Sequence, residues 1–153
     1  MSVLSLRPLV PDAATFQVLR GKSMAEGFSM LRRLQDHWRD GSNTFAKPGE
    51  ALFGVFEGTS LVGMGGLNVD PYFADGGSGR VRHVYVDPEF RRHGVGRLLI
   101  EAIACHARAR FALLNLRAPD AAHAFYEALG FEPVKGEQFA THRRLLTMPN
   151  EGS

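Results

Sequence analysis

The stretch VYVDPEFRRHGVGR, residues 84–97, decides the fold of this chain, because it contains a strand, a turn and a helix start in that order. Its first three residues are β-branched and aromatic, and Pro88 ends the strand. From Val95 onward, apolar residues recur at helical spacing. A strand that leads directly into a helix in this way predicts an α/β fold.

The turn between this strand and this helix is rich in glycine and arginine. The first N–H groups of a helix have no intrahelical partner, and the helix dipole places partial positive charge there. The two glycines allow a ligand to approach the backbone, and cations at this position oppose the dipole unless an anion neutralises them. The turn therefore predicts a phosphate site rather than a solvated helix start. Its predicted binding residues are Arg91, Arg92, His93, Gly94, Val95, Gly96 and Arg97.

Two sequence motifs carry a resemblance to a known family. Arg91-x-x-Gly94-x-Gly96, after a strand that ends at Val86, resembles the acyl-CoA-binding signature of the GNAT N-acetyltransferases. Residues 123–131, HAFYEALGF, are similar to the helix of that family that carries a tyrosine and ends at a glycine. The two motifs occur in the family's order, and the resemblance covers roughly residues 80–134. It implies an acyltransferase that moves an acetyl group from acetyl-CoA to a primary amine by direct attack.

The resemblance also implies which residues hold and use the cofactor. The pantetheine arm would lie along the backbone of Val84, Tyr85 and Val86, with the thiol near Tyr126. A tyrosine, with a pKa of about 10, can protonate a departing thiolate whose thiol has a pKa of about 8.5. Tyr126 is therefore the candidate acid. In the alternative interpretation, Tyr126 only packs on the sheet beside Phe125.

The general base is where this sequence departs from the family pattern. Many members carry a glutamate near the place of Arg82, but here Arg82-His83 stands instead. His83 has a suitable ordinary pKa of about 6.5, and strand alternation predicts it on the face opposite Val84 and Val86. It is a candidate base, and equally a surface or packed histidine. Arg82, which alternation places on the face of Val84, could bind a carboxylate of an acidic acceptor or form a salt bridge within the sheet.

Composition and charge limit the remaining possibilities. Hydrophobic residues make up 44% and charged residues 22% of 153 residues, which predicts a single domain, 1–153. The net charge of +2 does not by itself imply a nucleic-acid partner. The lone Cys105, expected to be buried in a helix, excludes an internal disulfide, and Arg7 and Pro8 interrupt any secretory segment. A cytoplasmic protein without a membrane partner is the expectation.

Cofactor, partner and function class follow from the same observations. The histidines show no metal-ligand spacing backed by cysteine or carboxylates, so acetyl-CoA is the expected cosubstrate and no metal is predicted. The acceptor would be a small-molecule amine or a protein amine, and it would enter beside the first two helices and the loop 70–79. Since dimers are common in the family, the resemblance is compatible with a homodimer. The alternative functions are a catalytically silent CoA-binding regulator and a basic nucleic-acid-binding module.

The predicted element order is β-α-α-β-β-β-α-β-α-β-β. This order agrees with a GNAT-type fold: a mixed, mostly antiparallel sheet with a central parallel pair splayed for CoA and flanked by four helices. Residues Phe28, Leu31, Leu34 and Trp38 are the predicted core of the second helix, and Gly130 is the predicted stop of the last helix. The predicted strands are 3–6, 51–56, 61–69, 80–86, 111–116, 131–134 and 142–148. The predicted helices run from about residue 11 to 21, over 23–39, over 95–108 and from 119 to 130.

Overall fold

The computed structural model describes residues 3–73 and 75–146 of the chain. The strands are β1 (Leu4–Pro8), β2 (Ala51–Glu57), β3 (Ser60–Val69), β4 (Ser78–Val86), β5 (Leu113–Leu116), β6 (Glu132–Pro133) and β7 (His142–Leu145). The helices are α1 (Ala14–Ala25), α2 (Met30–Asp40), α3 (Val95–Ala107) and α4 (His123–Ala128), and short 3₁₀ turns cover Pro88–Phe90 and Asp120–Ala122. The element order is the predicted one.

All seven described strands form one sheet in the order β1-β2-β3-β4-β5-β7-β6. Strands β4 and β5 are parallel, whereas every other neighbouring pair is antiparallel. The parallel register joins only Ser78, Gly79 and Arg80 to β5, although β4 continues to Val86. The predicted mixed sheet with a central parallel pair is therefore confirmed, and the two strands of that pair separate beyond Arg80.

Helices cover both faces of the sheet. On the face that we name the α1–α2 face, buried residues of both helices pack against Met64 and Tyr85. On the α3–α4 face, Ile100 and Ile103 of α3 and Tyr126 of α4 pack against the sheet. The apolar side chains buried from the first two helices are Phe16, Leu19, Leu31 and Leu34. Within the described ranges, no helix combines the length and the apolar character needed to cross a bilayer.

The break between the first two helices lies later than predicted. Helix α1 continues through Gly21 to Ala25, and Gly27, with φ of +88°, ends the segment. A glycine inside a helix costs about 1 kcal/mol, which the burial of Phe16 and Leu19 outweighs. Gly21 therefore does not interrupt the helix, because packing decides over propensity.

Three predicted core positions differ from the structure. Leu31 and Leu34 are buried as predicted, but Phe28 lies in the connection before α2 and is 47% exposed. Trp38 is only half-buried. Cys105 is exposed rather than buried, because it lies on the solvent side of α3.

The strand boundaries shift by a few residues where the loops differ from the prediction. Strand β4 begins at Ser78, inside the predicted loop, and β5 begins at Leu113 because Phe111 packs in the core before the strand starts. Strand β7 covers His142–Leu145, and the predicted extension to residue 148 lies outside the described residues. Gly130 has φ of +90° and ends the last helix as predicted.

Candidate active site

A buried polar network lies under the point where β4 and β5 separate. The Arg80 guanidinium lies 3.6 Å from Asp70, and its Nη2 donates to the carbonyl of Phe139 at 2.6 Å. Asn115 of β5 donates to Asp70 at 3.1 Å and accepts from Arg143 of β7 at 2.7 Å. These contacts join the last paired residues of the parallel strands. They fix the closed end of the split between β4 and β5.

A β-bulge in β4 alters the predicted side-chain alternation. Met64 pairs with Tyr85 and Gly66 pairs with Arg82, so β4 has one extra residue between the two pairs. His83 lies in this bulge with φ of +60°, a left-handed conformation that costs a residue other than glycine about 1–3 kcal/mol. Backbone strain of this kind occurs mostly at functional sites.

The bulge places Arg82 and Val84 on opposite faces of the sheet. A Cβ on Gly66, the partner of Arg82, would touch Phe45 on the α1–α2 face. A Cβ on Gly65 would touch Val84 and Ile103 on the α3–α4 face. The prediction that Arg82 shares the face of Val84 is therefore wrong, because the extra residue shifts the alternation by one position.

His83 packs on the α1–α2 face. Its ring lies edge-on to Phe45, with 6.2 Å between the centroids. Burial, and after it the positive charges of Arg82 and Arg33, lowers the pKa of His83 to about 3. The imidazole is therefore neutral near neutral pH. A group with this pKa is a weak acceptor for the proton of an alkylammonium ion, whose pKa is about 10.4.

The turn before α3 has an open, uncapped helix start. Arg92 and Gly94 have φ of +67° and +80°, and Gly94 is the N-cap of α3 without a side-chain cap. The N–H of Leu98 donates to the Gly94 carbonyl at 3.0 Å and begins the helical ladder. The N–H groups before it have no intrahelical acceptor. A Cβ on Gly94 would meet no heavy atom within 4 Å, so the approach to these groups is open.

Helix α1 holds this turn through two ion pairs. Arg91 donates to both carboxylate oxygens of Glu26, at 3.0 and 2.7 Å, and Lys22 lies 2.5 Å from Asp87. The hydroxyl of Tyr85 also donates to Glu26. The hydrogen bonds from Arg91 and then Tyr85 lower the pKa of Glu26, and those to Glu26 raise the pKa of Arg91.

These contacts decide where the predicted cofactor residues point. The Arg91 guanidinium is engaged by Glu26 and by the Val86 carbonyl, which accepts from Nε at 3.2 Å. The Tyr85 side chain is buried on the α1–α2 face, and burial raises its pKa. Val95 is buried in the core. Arg91 is itself exposed, but within the described ranges its exposed neighbours Arg92, His93 and Arg97 form no hydrogen bond or ion pair through their side chains.

Gly96 has a packing role that the sequence did not indicate. A Cβ on Gly96 would lie 2.9 Å from Cζ of Phe125 in α4. The missing side chain therefore lets α4 approach the first turn of α3, next to Tyr126. Of the two glycines in the motif, Gly94 borders open space that a ligand could enter, whereas the space beside Gly96 is filled by the ring of Phe125.

Tyr126 lies between α4 and the sheet. Its side chain is 8% exposed and contacts the rings of Phe125 and Phe131, with centroids 5.0 and 5.6 Å away. Burial raises the pKa of Tyr126 to about 12. Because of this raised pKa, the hydroxyl keeps its proton at neutral pH. No hydrogen bond joins the hydroxyl to another residue in the described ranges, so its O–H group can donate to a ligand.

The site fits the cofactor that the motifs imply. Phosphate needs N–H donors and positive charge, and the turn has uncapped N–H groups beside Arg92, His93 and Arg97. An extended arm needs a strand edge without a neighbour, and β4 lacks β5 beyond Arg80. The mouth of the split therefore has donors and charge that would suit a phosphate group.

Some residues that organise the site could not be found from the sequence. Glu26 lies 65 positions before Arg91, and Asp70 lies 45 positions before Asn115, so no local pattern connects either pair. His123, Glu127 and His142 also meet, with one possible ligand atom from each within 4.8 Å of the others. The spacing of the histidines along the sequence does not predict this group, because His142 of β7 meets His123 and Glu127 of α4 only in the folded chain.

Comparison with known proteins identifies the family. The family described as Acetyltransferase (GNAT) domain matches residues 48–133. A protein from Exiguobacterium sp. 255-15 that is described as an acetyltransferase superimposes on this chain with a TM-score of 0.83. The two sequences are 33% identical, and the match covers 94% of this chain and 93% of that chain. Among curated proteins, none matches this sequence.

More distant structures share the fold. An acetyltransferase from Streptococcus agalactiae has a TM-score of 0.72 and 19% identity, over 94% of this chain and 98% of that chain. N-acetylglutamate synthase from Neisseria gonorrhoeae, in complex with coenzyme A and N-acetyl-glutamate, has a TM-score of 0.72 and 16% identity, over 96% of this chain and 36% of that chain. The family match and the nearly full-length likeness show that this chain belongs to the GNAT acetyltransferases and is an acyltransferase.

Proposed function

We propose that this chain is a single-domain enzyme that transfers the acetyl group of acetyl-CoA to a primary amine, without a covalent acyl-enzyme. The observation that carries the proposal is the split in the sheet. Strand β5 leaves β4 beyond Arg80, and the open edge leads to the uncapped start of α3. One groove thus offers a strand edge and a phosphate cradle.

The pyrophosphate of the cofactor would bind the turn before α3. Its oxygens would accept hydrogen bonds from the N–H groups of Gly94, Val95, Gly96 and Arg97. The exposed side chains of Arg92, His93 and Arg97 would lie around it, whereas Arg91 would support the turn through Glu26. The pantetheine arm would run along the backbone of residues 84–86. The complex of the Neisseria synthase with coenzyme A, in the same fold, supports coenzyme A as the ligand.

Acetyl-CoA supplies an activated thioester carbon when it is bound. Tyr126 would donate a hydrogen bond from its hydroxyl to the sulfur and stabilise the negative charge that develops there. Burial raises the pKa of Tyr126 to about 12, above the value of about 8.5 of an ordinary thiol, so the hydroxyl would keep its proton and the departed thiolate would take its proton from water. The rings of Phe125 and Phe131 surround the Tyr126 ring and would hold its hydroxyl in place.

The acceptor amine would approach from the α1–α2 face. His83 is on this face and stays a candidate contact to the acceptor, but its low pKa makes it a poor base. We propose that the ammonium proton leaves through water, so that the amine attacks in its neutral form. The acceptor is a small-molecule or protein amine. The cytoplasmic location and the homodimer stay predictions.

Calorimetric titration with acetyl-CoA tests the cradle. Gly94→Trp fills the open space before α3 and should weaken binding at least 100-fold. Gly41→Trp is the matched control, because Gly41 ends α2 with φ of +83° and also has no neighbour within 4 Å. Both variants carry the same backbone strain, so only a loss confined to Gly94→Trp supports the site. Equal affinity of the two variants and the wild type would contradict it.

Turnover of an amine panel, followed by release of free thiol, tests the reaction. Tyr126→Phe should lower kcat by about 10²-fold or more and leave acetyl-CoA affinity within about twofold, since only the hydrogen bond to the sulfur is lost. Acetyl-CoA binding without transfer to any amine would favour the catalytically silent CoA-binding regulator. Salt-dependent DNA binding without acetyl-CoA affinity would favour the nucleic-acid module.

A further inference from the structure

A cluster of three side chains lies on the side of α4 that faces away from α3. Phe125 packs on Gly96 of α3, and Glu127, two positions later, points about 200° around the helix. Glu127 contacts His142 of β7, with 2.8 Å between Oε2 and Nε2. His123, one turn before Glu127 on the same side of α4, has its ring 4.6 Å from that of His142.

Both imidazoles are oriented by a second partner. Nε2 of His123 lies 3.0 Å from the carbonyl oxygen of Ala118, which only accepts, so Nε2 carries the proton and Nδ1 has the free lone pair. Nδ1 of His142 lies 2.9 Å from the hydroxyl of Thr141, which leaves Nε2 on the side of Glu127. Histidines that bind metals are typically fixed in this way, with the other ring nitrogen bonded to an oxygen.

The charge and exposure of the cluster suit a cation. Glu127 forms no ion pair with a lysine or arginine of the described residues, and its only charged-group partner there is His142. Asp120 lies 3.8 Å from His123 Nε2, on the side of the ring that carries the proton, and is not part of the cluster. The side chains of His123 and Glu127 are 34% and 44% exposed, whereas that of His142 is 1% exposed. The cluster therefore has a buried floor and an open side through which an ion can reach it.

We propose that His123, Glu127 and His142 form a binding site for a divalent transition-metal ion of the zinc type. Two imidazoles and one carboxylate with an open fourth position are a known donor set for Zn²⁺. Tetrahedral ligands at 2.0–2.2 Å from zinc lie about 3.4 Å from one another. The three ligand atoms lie within 4.8 Å of one another in this structure. Rotation of the His123 and Glu127 side chains would bring them to the distance that zinc requires.

Bound metal would tie α4 to β7. Helix α4 spans only His123–Ala128, so it depends on tertiary contacts for its stability. A metal that joins two of its residues to the sheet would stabilise the helix that carries Tyr126. The proposal is independent of acetyl transfer, since none of its three ligands has a part in the proposed reaction.

Zinc titration of metal-stripped, tag-free protein tests the site. The wild type should bind one Zn²⁺ per chain by calorimetry and native mass spectrometry, and the ion should raise Tm. His123→Asn, at a half-buried position, and Glu127→Gln, at an exposed one, should each weaken binding at least tenfold. The double variant should bind no better than a protein without the site. Circular dichroism and Tm without metal verify that each variant is folded.

Matched controls exclude binding elsewhere. His106→Asn and Glu132→Gln change exposed residues outside the cluster, and Cys105→Ser removes the exposed thiol. These three variants should keep the wild-type affinity. Wild-type protein that binds no zinc would overturn the proposal. So would affinity that survives in the His123→Asn/Glu127→Gln double variant or is lost in Cys105→Ser.

Discussion

Arg91 in the turn before α3 donates two hydrogen bonds to Glu26, the residue that follows α1. The same carboxylate accepts from Tyr85, so one acidic side chain joins the first helix, the end of β4 and the phosphate turn. Arg91 therefore has a partner within the fold, and the positive charge left for a ligand belongs to its exposed neighbours.

Arg91 and Arg97 should consequently have separate effects when each is replaced by glutamine. Arg91→Gln should lower the free energy of unfolding by up to about 1 kcal/mol, since it breaks a partly exposed ion pair. Arg97→Gln should leave stability unchanged and weaken acetyl-CoA binding several-fold, in a salt-dependent way. Urea unfolding and calorimetry at two salt concentrations measure both quantities. If Arg91→Gln instead weakens acetyl-CoA binding and leaves the free energy of unfolding unchanged, Arg91 faces the cofactor.

Glu26 should contribute to stability at neutral pH and lose this contribution in acid. Its pKa is lowered in the folded protein by Arg91 and Tyr85, so the contribution is present above the ordinary value of 4.5 and is lost as pH falls below it. Glu26→Gln should therefore show less acid destabilisation than the wild type in that range. Urea unfolding across the acid range is the measurement, and parallel curves for the two proteins would contradict the prediction.

His83 should make stability depend on pH in a higher range. Its pKa falls from 6.5 to about 3 on folding, so below 6.5 only the unfolded chain takes up the proton. The free energy of unfolding should fall by about 2 kcal/mol between about pH 7 and pH 5 from this group. His83→Asn, which tolerates the positive φ of the bulge, should remove this slope. His106→Asn, at an exposed position of α3, should retain it.

The ion pair of Asp70 and Arg80 should be far more important for folding than the exposed pair of Asp12 and Arg39. The Asp70 side chain is fully buried and that of Arg80 is 8% exposed, so Asp70→Asn leaves a buried charge without its partner. The expected loss is about 3–5 kcal/mol. Asp12→Asn, whose side chain is 53% exposed, should cost no more than about 1 kcal/mol. If urea unfolding shows that Asp70→Asn and Asp12→Asn lower the free energy of unfolding by similar amounts, the prediction is wrong.

The parts of the fold that could be predicted are those encoded by neighbouring residues. Residues 84–97 contain a strand, a turn and a helix start within one short window, and Gly130 ends α4 with the expected positive φ. These signals gave the element order and the phosphate turn. The separation of β4 from β5 came from the family resemblance.

The remaining features depend on pairing between distant segments. The bulge at His83 exists because β4 has one more residue than β3 between two paired positions, and no glycine or proline between Arg82 and Tyr85 marks it. Helix α1 passes Gly21 because packing on the sheet outweighs propensity. Glu26 and the cluster of His123, Glu127 and His142 arise only when separate elements meet.

The contact of Gly96 with Phe125 leads to the last prediction. A methyl group on Gly96 would lie 2.9 Å from Cζ of Phe125, so this ring, which is 37% exposed, must shift away from α3. Gly96→Ala should cost up to about 1 kcal/mol of stability and should lower turnover, because the shifted ring packs against Tyr126, the next residue.

Two further variants separate this effect from the loss of a glycine as such. Gly94→Ala meets no atom within 4 Å and costs only its positive φ, so it should leave the position of α4 unchanged. Phe125→Leu in the Gly96→Ala background removes the ring that the methyl group touches, and should restore part of the stability and the turnover. Urea unfolding and thiol-release kinetics on the wild type, Gly94→Ala, Gly96→Ala, Phe125→Leu and the double variant measure the coupling. Strictly additive effects of Gly96→Ala and Phe125→Leu would show that the two residues do not act through this contact.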